Sequence, residues 1–191
     1  MKILSLRFSI FSFLFLVAVS AKAETDFAGI LGIRMNSANT DVTGATVTAQ
    51  SGVMAGVLAW FPVHDRFGLR SGAVFNQRFI RLSPTVQGTV DILYSYWDLP
   101  LTATFQFSSG FFLYGGPVLA FNQSKEVKCS LLSTCGALDV KSVVVPWQVG
   151  LDFRMIPQLG GEFFVEMIPG ELSRNVSDMK SLGLSLVYYF N

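Results

Sequence analysis

Few residues of this chain have the chemistry of a reactive site, and their spacing limits what that chemistry is. There is one histidine, His64, flanked by Pro62 and Asp65. Hydrolysis by an activated serine or water needs such a base, but a solvated turn histidine is the expected reading, and no enzyme is expected. Glu162 and Glu166 have the spacing of a carboxylate pair, yet Arg154 nearby favours a structural role. Cys129 and Cys135 frame a short polar segment. In an oxidising compartment that spacing favours a disulfide-closed loop over two free thiols. His64 lies far away in sequence, so no metal site is expected, and no residue pattern calls for a cofactor.

The larger group of candidates is ionic: Arg34, Arg70, Arg78 and Arg154 against Asp98, Asp152, Glu162 and Glu166. Each falls on the polar side of a segment that alternates polar and apolar residues. Four charges of each sign on one side suit a neutralised network of salt bridges, because an unpaired buried charge costs far more than a paired one. An ion-selective lining is the functional reading of the same residues. Arg154 and Glu162 are expected to face each other across a tight turn at 156–159.

These charges need elements to carry them, and the alternation says what those are. Ser181 to Phe190 places Leu182, Leu184, Leu186, Tyr188 and Phe190 on one side and Ser181, Gly183, Ser185, Val187 and Tyr189 on the other, the period of a strand. Eight such strands are expected, at 26–36, 51–61, 67–78, 92–107, 110–122, 143–155, 160–168 and 181–191. The connections at 37–50, 79–91, 123–142 and 169–180 read as long and polar, and those at 62–66, 108–109 and 156–159 as tight. Pro100, Pro117 and Pro146 fall inside strands, where each removes a ladder donor, so bulges are expected there.

Composition places the strands. Hydrophobic residues make up 51% of the chain and charged residues 14%. Met1 to Ala23 has the basic start, apolar stretch and Ala21-Lys22-Ala23 site of a cleaved secretory signal, leaving one domain at 24–191. That mature part holds 11 basic and 13 acidic residues, a formal charge of −2, which gives no reason to expect nucleic acid as a partner. Without membrane helices, a chain this apolar reaches a membrane as a closed barrel. A soluble barrel with a greasy lumen would carry Lys and Glu on its outer face, but Lys125, Lys128, Lys141 and Lys180 all sit in loops or at a strand edge. The apolar face therefore meets lipid and the polar face lines the lumen. Aromatics such as Trp60, Phe67, Phe107, Tyr188 and Phe190 gather near the tight turns as an interfacial girdle.

The stretches YWDLPLTATFQF (96–107), FFLYGGPVLAF (111–121), VPWQVGLDFRM (145–155) and LGLSLVYYF (182–190) resemble the small outer-membrane β-barrel proteins. The nearest likeness is to the porin-like "outer membrane protein β-barrel" family related to PorT. The resemblance covers essentially the whole mature chain. It implies an all-β, eight-stranded, antiparallel up-and-down transmembrane barrel in the outer membrane of a Gram-negative cell envelope. It transfers no catalytic role to any residue. Family members tolerate proline at positions such as Pro100 and Pro117 and usually end on the aromatic itself, whereas Asn191 follows Phe190 here. The expected partners are outer-membrane lipid, the outer-membrane assembly machinery and an extracellular ligand of loops 37–50 and 123–142, with the barrel a monomer. Its expected role is structural or in surface interaction, with the lumen plugged by the charge network; a small-conductance channel is the alternative.

Overall fold

The computed structural model describes residues 25–190 except 85–87, 131–139 and 174–175. The expected signal at 1–23, Cys135 and Asn191 lie outside the described residues.

Alternation becomes strand throughout. The elements in chain order are β1 (Asp26–Thr40), β2 (Ala45–His64), β3 (Phe67–Pro84), β4 (Val90–Pro100), β5 (Thr102–Ser108), β6 (Phe111–Cys129), β7 (Val143–Val144), β8 (Trp147–Ile156), β9 (Leu159–Ser173) and β10 (Val176–Tyr189). β4 with β5, and β7 with β8, are each one stave of the barrel interrupted near a proline, so ten elements make eight staves. Every pairing is antiparallel between neighbours, and β1 closes the ring on β10, with Leu31 opposite Leu186 and Arg34 opposite Gly183. All the backbone donors and acceptors of a ladder are satisfied only in such a closed ring, which is the condition for strands to cross lipid.

Pro100, Pro117 and Pro146 sit on neighbouring staves. Pro100 ends β4 opposite Val118, and Pro117 of β6 lies opposite Trp147. The Leu101 amide donates to Pro117 O at 2.9 Å, and the Val118 amide to Pro146 O at 2.8 Å. The staves thus break where a donor is missing, and neighbouring amides reach the proline carbonyls instead.

The faces follow the alternation. Leu31 and Leu186 on the outer wall are 64% and 58% exposed, whereas Val187 and Tyr189 on the inner wall are at most 1% exposed. The long connections come out differently from the sequence reading. Much of 37–50, 79–91, 123–142 and 169–180 is strand, and among the described residues only 41–44, 88–89, 130 and 140–142 of these segments lie outside the strands. The cause is a second apolar lining inside the barrel: Ile80, Leu82, Ile92, Leu172, Val176 and Met179 pack together near the long-loop end. Burial there stabilises strand above the lipid belt.

Candidate functional site

Inward-facing positions of the staves bring the charged residues into the lumen. Arg34, Arg70, Arg78, Asp98, Asp152, Glu162 and Glu166 are all buried. Arg154 also points inward but lies near the short-turn end, where it is only part-buried.

The upper cluster centres on Arg78. Its Nη2 donates to Asp98 Oδ2 at 2.7 Å and to Glu166 Oε1 at 3.0 Å, while Nη1 donates to Asp98 Oδ1 at 3.2 Å. Arg34 Nη2 donates to the same Glu166 oxygen at 2.5 Å. Asn76 donates to Asp98 at 2.6 Å, and Ser181 donates to the Asn36 side-chain oxygen at 2.9 Å, which also accepts from Arg34 Nε at 3.1 Å. The guanidinium of Arg78 lies 4.7 Å from the ring centroid of Tyr96, a cation–π contact.

The lower cluster uses Arg70, whose Nη2 donates to Glu162 Oε2 at 2.9 Å and whose guanidinium stacks 3.9 Å from the ring centroid of Tyr114. The Tyr114 hydroxyl donates to Glu162 Oε1 at 2.5 Å. Nearer the short turns, the Tyr189 hydroxyl donates to Asp152 Oδ1 at 2.6 Å, and Arg154 pairs with Asp26. Charges taken out of water in this way hold only because nearly every one meets an opposite charge or a donor.

One expected pair is corrected. Arg154 does not meet Glu162: the ladder sets Arg154 opposite Gly160 and Asp152 opposite Glu162. The reason is the turn. The pairing nearest it is Ile156 with Leu159, which continued regularly would set Arg154 opposite Gly161; a bulge between Arg154 and Ile156 shifts the register by one more residue, to Gly160. Arg154 instead reaches Asp26 at the start of β1, and Glu162 is taken by Arg70 and Tyr114. Asp26, Tyr114, Tyr189, Asn36 and Asn76 are members the sequence reading missed. For Asp26 a signal existed, since it shares parity with Arg34 along β1.

Close packing around these groups depends on absent side chains. A Cβ on Gly183 would lie 2.1 Å from the Phe164 ring, and one on Gly150 would lie 2.3 Å from the Tyr114 hydroxyl. Between the clusters remains a void of about 10 Å³, lined by residues including Arg34, Arg70, Asn76, Asp98, Gln148 and Glu166, room for about one water. Arg34 Nη1 and Arg70 Nε and Nη1 have no protein partner. His64 sits exposed at the end of β2, beside the turn to β3. Among the described residues, no group of His, Cys, Asp and Glu has the arrangement of a metal site.

Comparison with known proteins adds the family. The chain is similar to the crystal structure of Neisserial surface protein A, with a TM-score of 0.56 at 12% identity over 88% of this chain and 100% of that one. It is similar too to Ail, the attachment invasion locus protein of Yersinia pestis, solved with the heparin analogue sucrose octasulfate. There the TM-score is 0.51 at 14% identity, again over 88% of this chain and 100% of that one. Such likeness speaks for the fold. No curated protein matches the sequence. The family model described as "Outer membrane protein beta-barrel domain" matches residues 13–191. With the closed antiparallel ring and its lipid-facing wall, this chain belongs to the outer membrane protein beta-barrel domain family and is an integral protein of the outer membrane.

Proposed function

We propose that this protein is a closed barrel with a structural and surface-contact role, its lumen plugged by the charge network rather than open as a pore. The observation that carries the reading is Glu166. One carboxylate oxygen of β9 accepts from both Arg34 of β1 and Arg78 of β3, and the space left beside it holds about one water. Eight staves leave an interior that side chains fill. The lumen groups are balanced to within one charge, which suits a plug more than an ion-selective lining. No group in it has the arrangement of a nucleophile with its base, so the reading is not that of an enzyme.

The short turns face the periplasm in this reading, and the extended hairpins and the segment 130–142 face outward as the contact surface. In the long connections and the strand ends beside them, Arg81, Lys125, Lys128, Lys141, Arg174 and Lys180 are matched by Asp41, Asp91, Glu126, Asp139, Glu171 and Asp178. That balance gives a polyanion such as the one bound to Ail no electrostatic advantage here, and favours a partner recognised through hydrogen bonds and shape. Cys129 ends β6, and the absence of free cysteines among the described residues supports a Cys129–Cys135 clip that narrows the conformations of the loop. The protein acts as a monomer, delivered by its cleaved signal and the assembly machinery.

Planar-bilayer recording of the purified barrel tests the plug. No ion conductance is expected; steady single-channel steps from the folded protein would replace this reading with that of a small channel.

A further inference from the structure

A barrel must close its first strand on its last in one register, and the outer wall of this seam does not specify it. Met35, Ile33 and Leu31 of β1 face Leu182, Leu184 and Leu186 of β10. A slip of two residues sets aliphatic against aliphatic again and keeps every side chain on its own face, while changing the shear of the barrel. The register has to be read from inside.

Two residues of β8, which is separated from β10 by β9, touch both strands of the seam. Arg154 pairs with Asp26, the first residue of β1, and its guanidinium stacks 3.9 Å from the ring centroid of Tyr189 near the end of β10. Asp152, two residues earlier, accepts from the Tyr189 hydroxyl at 2.6 Å. The site is shaped for that tyrosine. Tyr189 lies opposite Ala28, packs 5.5 Å from the Trp60 ring centroid, and would crowd a Cβ on Gly160 at 3.2 Å.

We propose that Asp152 and Arg154 gauge the register in which the barrel closes. A two-residue slip moves a strand by roughly 7 Å. Slipping β10 puts Val187, which has no hydroxyl, at the place of Tyr189 or carries the phenol beyond Asp152; slipping β1 carries Asp26 away from Arg154. Either slip leaves a charge at the short-turn mouth without its partner, a cost that the lipid face never sees. The middle of the seam adds a steric check, since Gly32 faces Ser185 and Gly183 faces Arg34. Both read one continuous register, the steric check at mid-seam and the gauge at the short-turn end. Asp152 and Arg154 are thus positioning residues for assembly, a role independent of whether the lumen conducts.

The test is oxidative cross-linking in outer membranes of cells expressing the full chain with Cys129→Ser and Cys135→Ser. Leu31→Cys with Leu186→Cys reports the native register, and Leu31→Cys with Leu184→Cys reports a slip of two. With the gauge intact, the native pair oxidises and the slipped pair does not. Adding Asp152→Leu and Arg154→Met is expected to raise the slipped cross-link at least several-fold while the native one falls. If this variant does not reach the membrane, Tyr189→Phe and Arg154→Lys, each removing one arm, are expected to give the same change to a smaller extent. A native-only cross-link in every folded gauge variant, even one that melts earlier, would overturn the proposal and leave the contacts as simple stabilisation.

Discussion

The Tyr114 hydroxyl donates to Glu162 across the lumen from β6 to β9 at 2.5 Å, on the side of the carboxylate opposite Arg70. Glu162 is fully buried, so among the described residues this phenol and Arg70 are the donors that replace its water shell. Tyr114→Phe removes a hydrogen bond to a buried charge and is expected to cost about 1.5–3 kcal/mol. The midpoint of the band shift between heated and unheated samples in electrophoresis measures it, and an unchanged midpoint would mean that Arg70 alone satisfies the carboxylate.

Arg78 is the member of the upper cluster with most partners. Arg78→Met leaves Asp98 and Glu166 competing for what remains and is expected to cost about 3–5 kcal/mol in urea unfolding from lipid vesicles. Arg78→Lys is expected to recover only part of it, because an ammonium cannot reproduce two parallel bonds to Asp98 while also reaching Glu166.

Gly183 is required by the ring beside it. A methyl group there would lie 2.1 Å from a Phe164 carbon, so Gly183→Ala is expected to destabilise the barrel by about 1–3 kcal/mol through overpacking. Phe164→Leu should relieve most of that. A double-mutant cycle on the unfolding free energy checks it, and additive losses would show that the two sites do not share the space.

On the outer wall, two residues past Leu93 and clear of the lipid belt, Asp91 accepts from Arg81 at 2.6 and 2.9 Å. The hydrogen bonds from Arg81 hold the Asp91 carboxyl below its ordinary range. A carboxylate lowered on folding contributes stability above its unfolded range and loses it as pH falls. In an exposed pair this contribution is small. NMR titration of Asp91 is therefore expected to move upward in Arg81→Gln, with the unfolding midpoint at neutral pH almost unmoved.

The proposed Cys129–Cys135 clip would close a loop of only five intervening residues. Reduction is expected to leave the heated–unheated band shift where it is and to speed protease cleavage between residues 130 and 142. A fall in the barrel's own midpoint on reduction would tie the clip to the fold instead.

The sequence by itself determined the walls of this protein. Side-chain direction in a strand alternates residue by residue, so Leu182, Leu184 and Leu186 declare a lipid face and Arg34, Arg70 and Glu166 a lumen without any knowledge of their neighbours. Leu172, Val176 and Met179 stand in a stretch whose sequence is that of a polar connection, because the apolar partners that make it strand, Ile80 and Ile92, are distant in sequence. Which charge meets which was decided only by the tertiary structure. Arg34 finds Glu166 and Arg70 finds Glu162 across a lumen whose geometry depends on every register around the ring. The tight turn and the bulge beside it set Arg154 opposite Gly160 rather than Glu162, and Arg154 pairs with Asp26 of β1. Faces are a local property of the chain; partners in a closed barrel are a property of the closure.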